Sequence, residues 1–142
     1  MQNFRTRPAQ TGVTLLESMI GILIFSVGIL AVVGLQAMAI RSVAESKYRV
    51  DASFFANEII AQMWVNRPAL ATFAYPGGGS PALPNWVARV QGALPGAAAN
   101  APSIVIGAGN SVTVTIFWQH PEEANLSPAP PPHEYTAITS IN

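Results

Sequence analysis

Residues 18–40, SMIGILIFSVGILAVVGLQAMAI, carry no ionisable side chain, an uncharged run of 23 between Glu17 and Arg41. As a helix rising 1.5 Å per residue, such a run crosses the roughly 30 Å hydrocarbon layer of a bilayer. A helix apolar on every side needs apolar surroundings on every side. A chain of 142 residues is one domain and too small to enclose it. The bilayer is therefore the expected solvent for this segment. Composition agrees: 50% of the chain is hydrophobic and 10% charged, against a usual charged share of about a quarter.

Helical spacing continues beyond the run. Ala52, Phe55, Ala56, Ile59, Ile60, Met63 and Trp64 recur at i, i+3, i+4, i+7, i+8, i+11 and i+12, with Asp51, Asn57, Glu58 and Gln62 off that stripe. Arg41/Glu45, Glu45/Arg49 and Lys47/Asp51 are spaced to meet on the helix surface. Neither Pro nor Gly interrupts 35–66, and Pro68 disfavours helix at Arg67. Span and stripe read as one helix from residue 13 to about 66, roughly 80 Å long. Its first half (13–40) faces lipid, and its second half docks a head within 41–142.

Within the head, 67–102 reads as a Pro/Gly-rich connector, with PGGGSPALP at 76–84 and GAAANAPS at 96–103. Pro84-Asn85 opens a short helix presenting Trp86, Val87, Val90 and Leu94, stopped by Pro95-Gly96. Strand signals follow over 103–142. Residues 104–106, a turn at 107–110, and 112–119 form a hairpin, with Val112, Val114, Ile116 and Trp118 alternating against Thr113, Thr115 and Phe117. Residues 120–133, HPEEANLSPAPPPH, read as an exposed loop, and 135–141 as a further strand. The expected class is α+β, a long helix packed on an antiparallel sheet of three or four strands. No internal repeat is present.

Charge excludes several functions. Seven basic residues balance seven acidic ones, and without Arg5 and Arg7 the remainder is five against seven, a net of −2. That balance leaves no footprint for nucleic acid. Without cysteine there is no disulfide, thiolate metal site or thiol nucleophile. His120, Glu122, Glu123, His133 and Glu134 crowd the Pro-rich loop, but their spacing fits no H-E-x-x-H helix, and a loop lacks the outer shell that orients ligands. Asp51 is the only aspartate and lies on the helix, far in sequence from both histidines. PGGGSP has no Walker lysine and follows no strand. The expectation is a non-enzyme with no metal and no cofactor.

The segment TGVTLLE (11–17) resembles the class III signal of type IV prepilins, in which a short basic leader ends in Gly and Phe-Thr-Leu-Leu-Glu opens the apolar helix. Gly12, Thr14, Leu15, Leu16 and Glu17 stand in register, with Val13 where Phe is commonest. The resemblance implies a leader of residues 1–12, cleavage between Gly12 and Val13 by a prepilin peptidase, and N-methylation of Val13. It also implies that Glu17 pairs with the freed amine of a neighbouring subunit. Glu17 stands out physically as well: a carboxylate at mid-bilayer costs about 2.5–3.5 kcal/mol, less near an end. A helix-terminal Glu favoured by the macrodipole accounts for Glu17 alone, but not for the leader and LLE in register with it.

ILIFSVGILAVVGLQ (22–36) is further similar to the helix of PilV-type minor pilins, as in outline are Trp86, Leu94-Pro95-Gly96 and VTVTIFW (112–118). The implied function is a minor pilin that primes or caps type IV pilus assembly. Its implied partners are major and minor pilins, met through the N-terminal helix, and the inner-membrane assembly platform. It would reside in the bacterial inner membrane before assembly and on the pilus afterwards. Two alternatives remain. One is a minor pseudopilin of a type II secretion system, with the same signal. The other is an exported periplasmic protein cut at Ala37-Met38-Ala39, although the apolar run exceeds an ordinary signal core of about 7–15 residues. Basic residues do not set orientation, since Arg41, Lys47 and Arg49 follow the run while Arg5 and Arg7 precede it.

Overall fold

A computed structural model describes the chain from Thr11 to Asn142, with side chains from Val13 onward. The expected leader lies outside these residues except for its last two. A single helix, α1, runs Thr11–Val65, so Gly12 and Val13 sit within its first turn without a break. Contacts divide the chain into two units, Met1–Val43 and Ala44–Asn142.

In the first unit every described side chain from Val13 to Val43 is exposed. The hydroxyls that would otherwise stand unsatisfied in an apolar segment bond back onto the helix: Ser18 Oγ donates to the Thr14 carbonyl (2.9 Å) and Ser26 Oγ to that of Ile22 (2.7 Å).

The second unit is built on the other end of α1. Ala52, Phe55, Ala56, Ile59 and Met63 are buried, and Ile60 packs beside them, as the helical spacing predicts. Small Ala52 and Ala56, one turn apart and fully covered, let the head's other elements approach the helix closely. Trp64 departs from the expected stripe. It is 39% exposed, and the Arg67 guanidinium lies 4.6 Å over its ring. The helix ends one residue later, where Asn66 Nδ2 donates to the Gln62 carbonyl (3.0 Å). A 3₁₀ segment, Arg67–Phe73, then takes over, and its Leu70 and Phe73 join the core in place of Trp64.

Helix α2 (Leu83–Ala93) has Pro84 in its first turn and buries Leu83, Trp86, Val87 and Val90. The fully covered Trp86 donates Nε1–H to the Phe55 carbonyl of α1 at 3.0 Å, which satisfies a polar atom that burial would otherwise make costly. Arg89 pairs with Glu58 across the same junction. Before α2 the chain turns through 77–79, where Gly78 N–H reaches the Ala74 carbonyl (2.7 Å). A Cβ at Gly78 would meet the Ala74 and Thr72 carbonyl oxygens at 2.2 Å, so only glycine fits there.

The sheet is antiparallel in the order β1 (Ser103–Ile106), β2 (Ser111–Trp118), β3 (His133–Ser140). β2 is central, and its inward residues Val112, Val114, Ile116 and Trp118 share one core cluster with α1 and α2. The chain is therefore α+β, a long helix packed on a small three-stranded sheet. β1 gains one further bridge, in which Tyr75 and Ile104 exchange backbone hydrogen bonds of 2.9 Å.

Two parts of the C-terminal third differ from the expected loop and strand. A short helix, α3 (Pro121–Ala124), occupies the start of the Pro-rich segment, and β3 begins two residues early, at His133. Beyond β3, Ile141 is buried and its N–H donates to the Asn110 carbonyl (3.0 Å), which fastens the C-terminal residues to the β1–β2 turn without a disulfide.

Candidate functional site

Two groups of residues carry chemistry. The first is the opening of α1, where Val13, Thr14, Leu15, Leu16 and Glu17 occupy successive helical positions. All five are exposed, and among the described residues Glu17 is followed by no charge until Arg41. Large apolar side chains from Val13 to Ile40 stand 47–73% exposed. A surface of that extent is met by lipid or by other helices. The helix is long and apolar enough to cross a membrane. Gly28 and Gly34 lie on this surface, and a Cβ at either would project into open space beside the helix, so no packing within the chain requires glycine there. Proximity to a neighbouring helix does call for small residues.

The second group lies in the other unit and joins residues far apart in sequence. Trp118 and His133 are register partners across β2 and β3, and their rings stack with centroids 5.9 Å apart. His120 follows β2 by two residues, and its ring lies 5.4 Å from that of His133 and 5.5 Å from that of Tyr48 on α1. Both histidines converge on Glu45 of α1: His120 Nε2 is 3.0 Å from Oε2, and His133 Nδ1 is 3.6 Å from Oε1. Trp118 Nε1 donates to the same carboxylate at 3.1 Å. Glu123, on α3, takes His133 Nε2 at 3.1 Å.

Burial, the largest influence on Glu45, works to raise its carboxyl. Hydrogen bonds from Trp118 and His120, with the charges of His133 and His120, together outweigh burial and hold it below the ordinary glutamate value.

Of the loop residues weighed from sequence, the structure brings His120, Glu123 and His133 together. The placement of the two histidines was readable, since one follows the strand run ending at 119 and the other precedes the run starting at 135. Antiparallel neighbours joined by a loop bring those two ends together. Glu45 had no such signal, because it reaches the group from 75 residues before His120. Its i+4 spacing to Arg49 suggested a surface pair instead.

Residues 7–33 match the family model described as the prokaryotic N-terminal methylation motif. No curated protein and no solved structure matches the chain.

Proposed function

We propose that this type IV pilin-like chain, which carries a class III prepilin signal at the head of an α+β structure, is a minor pilin that primes or caps pilus assembly. The observation that carries the reading is the continuity of the methylation motif with α1. The motif opens directly into a helix whose apolar surface has no covering partner within the described chain.

In this reading a prepilin peptidase cuts between Gly12 and Val13 and the new amine of Val13 is methylated. The segment 13–40 resides in the inner membrane with the head outside. Glu17, just before the uncharged run, is costly in hydrocarbon by up to about 2.5–3.5 kcal/mol. A positively charged N-terminal amine on an adjacent subunit would offset that cost in a low-dielectric setting where the attraction is strong. Thr14, Leu15 and Leu16 form the rest of the signal read by the peptidase. Release from lipid into a bundle of pilin helices then exchanges lipid contacts for helix contacts along the same face, with Glu17 fixing the register. The chain acts through assembly, with major and minor pilins and the inner-membrane platform as partners, and no catalytic role is assigned to it.

Similarity of 22–36 to PilV-type helices favours a pilus over a type II secretion pseudopilus, which uses the same signal. Deleting the gene tests this. Sheared surface pili are expected to fall while whole-cell major pilin stays constant, and blocking retraction is expected to restore some filaments. Wild-type pilus number with impaired secretion of folded proteins would assign the chain to the pseudopilins instead.

A further inference from the structure

We propose that Glu45, His120 and His133 form a structural site for a divalent transition metal of the zinc class, tying α1 to the adjoining ends of β2 and β3. The three residues offer ligand atoms that all lie within 4.8 Å of one another. Two imidazoles with one carboxylate suit zinc and its neighbours, whereas calcium and magnesium take oxygen ligands.

The His133 ring stands between two carboxylates. Its Nε2 lies 3.1 Å from one Glu123 oxygen and 3.4 Å from the other, where a ring N–H donates. A neutral imidazole that donates through one nitrogen keeps a lone pair on the other for a metal. The other ring nitrogen, Nδ1, faces Glu45 Oε1 at 3.6 Å. The gap exceeds an ordinary N–H···O bond of about 2.7–3.2 Å. It is close to the roughly 3.3 Å that separates neighbouring ligand atoms on a tetrahedral zinc with bonds of about 2.0–2.1 Å. On the other side of the carboxylate, His120 Nε2 stands 3.0 Å from Oε2. Glu45 and Glu123 bring two carboxylates to the cluster, whose charge one divalent ion held by the two imidazoles would balance.

The surroundings match those of a metal site. Glu123 holds the far nitrogen of His133, the carboxylate–histidine arrangement that fixes which nitrogen faces a metal. Trp118 fixes Glu45 through its Nε1–H and fixes the plane of His133 by stacking. The ligand side chains keep 22–37% of their surface exposed, which leaves a route for the ion and room for water as the fourth ligand. In a head without cysteine, such an ion would supply a cross-link between helix and sheet.

The test uses the full-length chain in detergent, stripped with chelator and titrated with zinc chloride by calorimetry. One zinc per chain is expected, undisplaced by excess calcium, with a thermal midpoint that rises on loading and falls again with chelator. Glu45→Gln and His133→Gln are expected to weaken binding at least about 100-fold. Glu123→Gln should weaken it about 10–100-fold while keeping the stoichiometry. The proposal is overturned if the wild-type chain takes up no stoichiometric zinc. It is equally overturned if folded Glu45→Gln and His133→Gln bind as tightly as wild type. Should either variant fail to fold, X-ray absorption of the zinc-loaded wild type decides: two imidazole nitrogens and a carboxylate oxygen uphold the site, and any shell lacking imidazole rejects it.

Discussion

The two halves of α1 solve one problem in opposite ways. From Val13 to Val43 every described side chain is exposed, although most are apolar. From Ala52 to Met63 the apolar side chains form a stripe, and the head covers most of it. Both stretches are helical and neither contains proline. The difference lies in pattern. A stripe can be satisfied by one small partner on one side, and residues 67–142 provide it. An apolar surface on all sides cannot be satisfied by a head of that size, and needs lipid or a ring of other helices. The second half is thus the one that holds the head together, and the first is left for lipid or other helices.

Substitution by alanine should separate the halves most sharply at Trp86 and Leu30. Trp86→Ala removes a fully buried ring and the hydrogen bond to Phe55, and is expected to cost about 3–5 kcal/mol. That is a large part of a domain's usual 5–15 kcal/mol. Leu30, 73% exposed, should change head stability by less than about 0.5 kcal/mol when replaced by Ala. Amide hydrogen exchange of the sheet in detergent reads both, and equal protection in the two variants would break the comparison.

Glu17→Ala sharpens the same division at a single charge. Membrane insertion should be unchanged or improved, by at most about 2.5–3.5 kcal/mol, and sheet protection should be that of wild type. The loss is expected in the filament, as a reduced share of the variant in sheared pili relative to the membrane pool. Normal incorporation would make Glu17 a helix-end residue and nothing more.

A smaller effect is expected from Gly28→Ala with Gly34→Ala. Each exchange favours helix by about 1 kcal/mol, and no atom of the chain stands in the way of either methyl group. Head stability should not move. Fewer sheared pili in the double variant would place these glycines against neighbouring helices or at a point where the helix must loosen, whereas unchanged piliation would remove both roles.

Much of this division was legible in the sequence because it rests on local periodicity. The uncharged run, the stripe through Ala52, Phe55, Ala56, Ile59 and Met63, and the alternation of Val112, Val114, Ile116 and Trp118 each follow from helix or strand geometry alone. Trp64 kept the period but lost the contact, because period says which side of a helix a residue faces and not how far along the helix the head extends. β3 begins at His133 and not Tyr135 because pairing with Trp118 recruits the histidine, a cross-strand effect invisible to local pattern. The anchoring of Ile141 and the convergence on Glu45 depend on long-range docking in the same way. The opening of α1 was legible as a motif, since TGVTLLE is contiguous. The cluster of Glu45, His120 and His133 was not, since its members meet only once helix and sheet have packed.

The three tryptophans fall in three different surroundings, and that gives the protein built-in optical reporters. Trp64 lies partly in solvent beneath a guanidinium, so its emission should fall toward the red. Trp86, sealed from water between α2 and α1, should emit further to the blue and shift only when the head comes apart. Trp118 is equally covered but lies against the His133 ring and bonds to Glu45, so its brightness should follow the charge of its neighbours while its colour stays constant. One unlabelled chain thereby distinguishes fraying at the end of α1, loss of the core and a change of charge beside the sheet, as separate changes in a single fluorescence spectrum.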